Sequence, residues 1–426
     1  METTSFEERQ RIRGQSHEEL AQLQLARLNQ LLGEILPHNA FYAERLSHVT
    51  LPLESLEQFT HLPYTFKEEL IGSHESGDMA NNRTYGTEQY VRFHRTSGTR
   101  GRPMVVLDTA EDWQWWLEAW QYVLDAAELD AGDRCFFAFS FGPFIGFWSA
   151  FDAAVLRGCL AIPSGGLSTV GRLELLQHNR VTAVFCTPTY ALHMAEVAAA
   201  NQIPIADLGV RRMVLAGEPG GSIPEIRHRI ETAWNAKVID HTGATEVGPW
   251  GFPDVEQTGV FVNEAFFLPE FISLETGTAA IEGELAELVL TTLGRGGSPV
   301  IRYRTGDLVR PSWNYPGHCN FVLLEGGVLG RTDDMLIIRG VNVFPTSIEQ
   351  ILRGFPEVVE YRMTALKRGE MDAMRIEVED RKQAPQRIAQ ELQLRLGLKI
   401  DVELVQLGSL PRFEGKGRRF IDERKR

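Results

Sequence analysis

Cysteine is scarce in this sequence, with only Cys135, Cys159, Cys186 and Cys319 among 426 residues. None falls in a CxxC pair, so the spacing suggests neither a zinc knuckle nor a disulfide framework. Four scattered thiols read as reduced cysteines of a cytoplasmic protein. Long apolar runs are missing as well, and nothing approaches the roughly 18 residues that a membrane span requires. The opening METTSFEERQRIRG is charged where a signal peptide would be apolar, so no targeting segment is expected. Positive charge is also short: 43 Lys and Arg against 57 Asp and Glu leave a net charge of −14. That argues against the basic face on which nucleic-acid binding depends, but a local basic pocket for a phosphorylated small molecule remains compatible with it. Internal repeats and low-complexity tracts are absent.

What is present is ordinary globular material, 43% hydrophobic and 23% charged, enough for a sizeable core and more than one domain. Leu25, Leu28, Leu32 and Ile35 recur at helical spacing within residues 15–47, with Pro37 as a stop and a second short helix expected in NAFYAERL. From residue 110 onward, strands alternate with helices. RCFFAFSF (134–141), CLAIPSG (159–165), AVFCTP (183–188), RRMVLAGE (211–218) and KVIDHTG (237–243) are apolar runs that end in turn residues, and TYALHMAEVAAANQ (189–202) is one of the helices between them. The pattern predicts a mostly parallel, helix-covered α/β sheet, with ligands beyond the carboxyl ends of its strands. After about residue 270, GELAELVLTT and VIRYRTGDLVR alternate in the antiparallel, barrel-like manner. VVEYRMTALKRGEMDAMRIEVED then reads as a strand pair, APQRIAQELQLRLGL as an amphipathic helix and IDVELVQLGSL as a final strand, together a small α+β unit. A hinge fits near LGRTDDM (329–335). The expected division is an N-terminal domain of residues 1–330 and a small mobile C-terminal cap of 331–426.

HRTSGTRGRPMVV (94–106) crowds glycines, hydroxyls and arginines onto one loop. Backbone N–H groups and hydroxyls on such a turn suit phosphate oxygens, and Arg100 and Arg102 add charge-assisted donors. No GK[ST] ending makes it a Walker A loop. A solvated hairpin turn reads equally well from this stretch alone. HTGATEVG (241–248), YRTGDL (303–308), GRTDDMLIIRGVNVFPTSIE (330–349) and LPRFEGKGRR (410–419) accompany it.

In order and spacing, these segments resemble the motifs of the adenylate-forming superfamily of acyl-CoA synthetases, and more narrowly the phenylacetate–CoA ligase family. RTSGTRGRP resembles the phosphate loop of that family, IRYRTGDL its ribose motif and RTDDMLIIRGVNVFPTSIE its hinge segment. The likeness covers essentially the whole chain, and the motifs are specific as a set. It implies a cytoplasmic, ATP- and Mg²⁺-dependent, AMP-forming acid–thiol ligase. A carboxylate attacks the α-phosphate of ATP, pyrophosphate leaves, and coenzyme A takes the acyl group.

By the same resemblance Thr96, Ser97, Gly98, Thr99 and Gly101 hold the β- and γ-phosphates, with Arg102 where the family usually has lysine. Glu246 ligates Mg²⁺ and Thr245 touches phosphate. Gly217, Glu218 and Pro219 lie against adenine beside Thr242 and Gly243. Asp307 accepts the ribose hydroxyls, and Arg331 contacts ribose or phosphate. Lys416, between two glycines, reaches the α-phosphate and the substrate carboxylate. Asp333 is the hinge, and Gly340, Val341 and Asn342 face coenzyme A. Each residue also has a structural reading: Glu246 as a strand-end carboxylate, Asp307 as a turn aspartate, the 216–221 segment as a strand-to-helix turn, and Lys416 as a solvated tail lysine. The acid pocket is expected among Phe141, Phe144, Phe147, Trp148, Ala216, Ala244 and Trp250, an aromatic slot suited to an aryl or arylacetic acid; the same aromatics read otherwise as core.

Three features depart from the family pattern. Thr242 stands where an aromatic usually stacks on adenine, beside His241, which reads as structural or as a ligand. GPWGFPDVEQTGVFVNEAFF holds no Cys or His, so no structural zinc is expected, and the cysteine knuckle before the hinge is missing. These bear on the coenzyme A step more than on adenylation. Two other readings therefore stand beside the first. One is an adenylating enzyme that hands its acyl group to a carrier-protein phosphopantetheine or an amine; the other is a nucleotide binder without turnover. The partners expected are a carboxylic acid, ATP and coenzyme A, with neither nucleic acid nor membrane; a homodimer is compatible with all of this.

Overall fold

The five apolar runs between residues 134 and 243 make one sheet. The computed structural model describes residues 3–424 apart from 74–76, 97–102, 219, 255, 333–335, 339–340, 369–370 and 412–418. In it the strands Leu160–Pro163, Arg134–Phe137, Ala183–Cys186, Arg212–Leu215 and Lys237–Asp240 lie side by side in that order, every pairing parallel. Side chains alternate between two buried faces. Phe137, Phe185, Val214 and Ile239 join the main core; Phe136, Val184, Met213 and Val238 pack on Tyr190, Met194 and Trp234 on the other side. Burial on both faces is why these strands read as unbroken apolar runs. Pro188 opens the helix Pro188–Ala200, whose Thr187 hydroxyl accepts from the Tyr190 N–H at 3.3 Å, so the strand-to-helix turn is capped as it leaves the sheet.

Two antiparallel sheets follow. One joins Pro311–Ser312, Leu323–Glu325, Gly259–Val262, Gly248–Pro253 and Thr242–Ala244; the other joins Phe267–Ser273, Ala286–Thr292, Tyr303–Val309 and Gly330–Arg331. Between them and the parallel sheet runs the helix Ala110–Ala126, started by a Thr109–Asp112 capping box. Its Trp113, Trp115, Trp116 and Trp120 are all buried. The tryptophans bury most of the helix against the core and leave only a narrow polar stripe of Glu111, Gln114, Glu118 and Asp125. A two-stranded antiparallel pair joins Arg92–Arg95 with Val105–Asp108, the strands that precede and follow residues 97–102 in the sequence.

The C-terminal segment keeps a separate core of Leu336, Ile348, Leu352, Met363, Ile376, Ile388 and Leu392. The strand pair Val358–Arg368 and Met371–Asp380 is antiparallel as expected, and Pro385–Leu396 is the amphipathic helix. The strand Asp401–Leu404 adds parallel to one edge, but it is not the last: Phe420–Asp422 adds parallel to the other. With three residues and one apolar pair, FID carries too little pattern to be read as a strand.

Candidate functional site

The described candidate side chains gather where the parallel sheet, the two antiparallel sheets and the C-terminal segment meet. Glu246 lies in the turn between the strands Thr242–Ala244 and Gly248–Pro253. Gly248 makes that turn possible. Its φ is +145°, and an added Cβ would stand 2.7 Å from Phe267 and 2.9 Å from Trp115. The turn is clamped from beneath by Arg295, which is fully buried. Its Nη1 donates to the carbonyls of Thr245, Glu246 and Val247 at 3.3, 3.0 and 3.4 Å. Its Nε and Nη2 meet Asp108 Oδ1 at 2.8 and 2.6 Å, and its guanidinium lies over Trp116. Asp108 ends the strand Val105–Asp108, and His94 Nδ1 on the opposite strand lies 3.6 Å from its other oxygen. Burial pushes the Asp108 carboxyl up, but the charge of Arg295 and the contact with His94 outweigh it and hold the group below the usual range. One buried ion pair thus ties the strands flanking the phosphate-loop segment to the turn bearing Glu246.

The Glu246 carboxylate is itself buried. Lys67 Nζ donates to Oε1 at 2.9 Å, and the Tyr303 hydroxyl donates to the same oxygen at 2.9 Å. Burial alone would raise this carboxyl; the ammonium charge, its hydrogen bond, the local backbone and Tyr303 together bring it down to about 2. The Tyr303 hydroxyl is driven the other way, well above its ordinary value, by burial and by the charge it faces. Glu246 is therefore ionised throughout the physiological range, a hard oxygen donor of the kind Mg²⁺ takes singly alongside phosphate oxygens and water. Among the described residues no group of three or more His, Cys, Asp and Glu could hold a metal by itself. The arrangement thus fits a cation shared with a phosphorylated substrate and not an all-protein cage.

Tyr303 opens the strand that also carries Asp307. Against its neighbour the pairing jumps from Val289↔Arg304 to Glu287↔Leu308, so this strand bulges at 305–307. Gly306 takes φ +74° there, and the bulge re-aims Asp307. Arg331, its cross-strand partner, donates to Asp307 Oδ1 at 2.8 Å and to the Thr305 carbonyl at 2.9 Å. The candidate ribose acceptor and the candidate ribose or phosphate contact thus stand together.

Thr96 is buried, and its hydroxyl accepts from the Met104 N–H at 2.9 Å, which closes the neck of the loop. The rest of the expected phosphate loop, Ser97, Gly98, Thr99, Gly101 and Arg102, lies outside the described residues, as do Pro219, Asp333, Gly340 and Lys416. So do the side chains of Val341 and Asn342. Thr245 is half-buried beside Glu246, while Gly217 and Gly243 are exposed. The Glu218 carboxylate is engaged: the Thr189 N–H donates to it at 2.8 Å, the Thr189 hydroxyl donates to the same oxygen, and Arg419 Nη1 lies 3.7 Å from its other oxygen. Arg419 also pairs with Glu360 at 2.6 Å within the C-terminal segment, so the segment that follows 412–418 is moored to the expected adenine strip.

His241 is structural. It lies 4.1 Å from the ring of Trp120 and its Nδ1 donates to the Gly251 carbonyl at 2.8 Å. Burial drives its pKa down to about 4 against the small opposing effect of that carbonyl. Thr242 beside it is half-buried. In the expected acid pocket, Phe147 stacks on Phe139 at 4.2 Å, Phe141 meets Trp148 edge-on at 4.9 Å, and Trp148 Nε1 donates to the Gly142 carbonyl at 2.9 Å. Phe141, Phe147, Trp148, Ala216 and Ala244 are half-buried, and Phe144 is 41% exposed. Trp250, expected in the pocket wall, is instead 1% exposed within the main core: its strand is buried along its whole length.

Lys67, Tyr303, Arg295 and Asp108 were missed in the sequence. Tyr303 sat inside the quoted IRYRTGDL with no role. Lys67, in PYTFKEEL some 180 residues before Glu246, carries no local signal at all.

The chain matches the AMP-binding enzyme family over residues 68–262 and the AMP-binding enzyme C-terminal domain over residues 340–424. It is 31% identical to the phenylacetate-coenzyme A ligase of Pseudomonas putida over 95% of this chain and 94% of that protein. It is also 31% identical to the phenylacetate-coenzyme A ligase of Thermus thermophilus, over 96% and 97% respectively. Among solved structures it is similar to 2-hydroxyisobutyryl-CoA ligase in the postadenylation state in complex with 2-HIB-AMP, with a TM-score of 0.91 at 25% identity over 100% of this chain and 94% of that one. The same ligase in the thioesterification state gives 0.74 at 26% identity over the same shares. This chain is therefore arranged more nearly as in the postadenylation state.

Proposed function

The chain belongs to the phenylacetate–coenzyme A ligase family of AMP-binding enzymes, and from that premise we propose that its acid is aromatic and that the residues gathered above divide the work. The reaction is ATP-dependent activation of a carboxylic acid to an acyl-adenylate, followed by transfer to coenzyme A. In the first step a carboxylate oxygen bonds to the α-phosphorus, the bond from that phosphorus to the β-phosphate bridge breaks, and pyrophosphate leaves. In the second, a thiolate sulfur bonds to the acyl carbon and AMP leaves with the carboxylate oxygen.

Both steps turn on charge placed in advance against phosphate and oxyanion. Thr96, Ser97, Gly98, Thr99, Gly101 and Arg102 cradle the β- and γ-phosphates; Thr245 adds a hydroxyl. Glu246 holds Mg²⁺, which neutralises charge on the phosphate oxygens when bound. Asp307 and Arg331 hold the ribose, and Gly217, Pro219, Thr242 and Gly243 border adenine, with Glu218 serving as an anchor for the strip. Lys416 reaches the α-phosphate and the carboxylate from a cap of residues 331–426 that turns at Asp333 against a body of residues 1–330. Gly340, Val341 and Asn342 then meet coenzyme A. The aromatic acid is supported by Phe141, Phe147 and Trp148, half-buried rings at the end of the parallel sheet. A cytoplasmic site of action fits the thiols, all four of them buried and free, and among the described residues no helix is long and apolar enough to cross a membrane.

The observation that carries this reading is the ionised, buried Glu246, held by Lys67 and Tyr303 on the strand that presents Asp307. The test is pyrophosphate release with ATP, Mg²⁺ and coenzyme A across arylacetic, benzoic, short hydroxy and straight-chain acids, followed by product mass. An aryl-CoA thioester is expected. Turnover confined to small aliphatic hydroxy acids would overturn the aromatic assignment, and acyl-adenylate that persists with coenzyme A but clears with a carrier protein would overturn the acceptor.

A further inference from the structure

We propose that Lys67 is a resident counter-ion for Glu246, a placeholder that neutralises the carboxylate until a metal–nucleotide complex displaces it. This rests on the reading of Glu246 as the carboxylate that meets metal and ATP.

Three observations carry it. The ammonium nitrogen is 2.9 Å from Glu246 Oε1, and that oxygen also accepts from Tyr303. A buried carboxylate aimed at a triphosphate of like charge repels it strongly where the dielectric is low, so some cation must stand beside it before any metal arrives. The other cations described around the turn are committed: Arg295 to Asp108, and Arg331 to Asp307 and the Thr305 carbonyl. Lys67 also differs from those arginines in being free to leave. It occupies the first position of the four-residue helix Lys67–Leu70, and its side chain is 38% exposed while that of Glu246 is 10% exposed. A flexible stem with a point charge can swing into solvent, where a forked guanidinium locked by several bonds cannot. An ammonium and a divalent cation on one carboxylate repel each other, so exchange is favoured over coexistence. Tyr303 then keeps the carboxylate oriented while the cation changes.

Lys67 is accordingly a positioning residue, and its removal separates two affinities that a structural lysine would move together. ATP binding is measured by calorimetry in EDTA, and Mn²⁺ binding to the protein–ATP complex by electron paramagnetic resonance. In Lys67→Met, metal-free ATP binding falls on the order of tenfold, the scale of one charge-assisted contact. Mn²⁺ binding to the ATP complex tightens by a similar factor. Lys67→Arg restores the wild-type pattern, and both effects vanish in a Glu246→Gln background. Equal weakening of both affinities, or no change in either, overturns the placeholder role. Failure of the unaltered protein to bind ATP with Mn²⁺ would instead overturn the functional reading, and the inference with it.

Discussion

Replacing Arg295 with methionine removes the buried cation beneath the Glu246 turn. Methionine keeps much of the stem but none of the five donors. Asp108, whose side chain is fully buried, loses the charged partner that met it at 2.6 and 2.8 Å and keeps the Trp116 indole N–H at 3.2 Å and His94 at 3.6 Å. The carbonyls of Thr245, Glu246 and Val247 lose their shared donor. Removing one side of a buried pair leaves an uncompensated charge and costs about 3–5 kcal/mol, a large share of the ~5–15 kcal/mol that holds a typical protein folded. Asp108→Asn with Arg295→Met leaves no stranded charge and recovers about 2 kcal/mol or more of that loss, the coupling expected of groups in direct contact. Urea unfolding followed by tryptophan fluorescence reads both. Adenylation falls as well, because the turn that aims Glu246 is no longer clamped. A loss below about 1 kcal/mol, the range of an ordinary substitution, or a double variant no better than the sum of the singles, would refute the clamp.

Further outcomes follow from the same geometry. His241 is held neutral with a pKa of about 4 against its ordinary 6.5, so the unfolded chain binds the extra proton first. The stability it confers is complete above pH 6.5 and is lost as pH falls from there toward 4, by about 3 kcal/mol across the window. Relative to the unaltered protein, His241→Gln should flatten that decline in urea midpoints measured every half pH unit; parallel curves would contradict it. Gly248→Ala forces a side chain into φ +145° and against Phe267 and Trp115, and should lower the melting temperature by several degrees and slow adenylation; an unchanged melting curve would show the turn to be pliant. Lys416→Ala should abolish pyrophosphate release yet spare thioester formation from supplied acyl-adenylate. Equal loss of both half-reactions would remove Lys416 from the role proposed for it.

The parallel sheet was legible because burial on both faces turns each strand into a short apolar run with a turn residue after it. The strand pair at 358–380 and the helix at 385–396 were legible for the same reason, periodicity long enough to count. Phe420–Asp422 was not, since three residues hold no period. Ala110–Ala126 does carry a stripe, Glu111, Gln114, Glu118 and Asp125 opposite its tryptophans, but the stripe is narrow because most of the helix is buried. At the site, Glu246 and Asp307 stood out because each follows a glycine- or hydroxyl-rich turn. The groups that set their charge did not: Lys67, Arg295 and Asp108 reach the turn from distant parts of the chain, and only packing brings them there. Trp250, an aromatic near the motif, lies in a strand that is buried along its whole length.

The account's central claim is that a carboxylate oxygen attacks the α-phosphorus of ATP. Acid labelled with ¹⁸O in the carboxylate, turned over with ATP and coenzyme A, tests it directly by mass spectrometry of the phosphorylated products. One labelled oxygen in AMP, with unlabelled pyrophosphate, is the expected result. Label in inorganic phosphate with ADP as co-product, or AMP carrying no label, would contradict it.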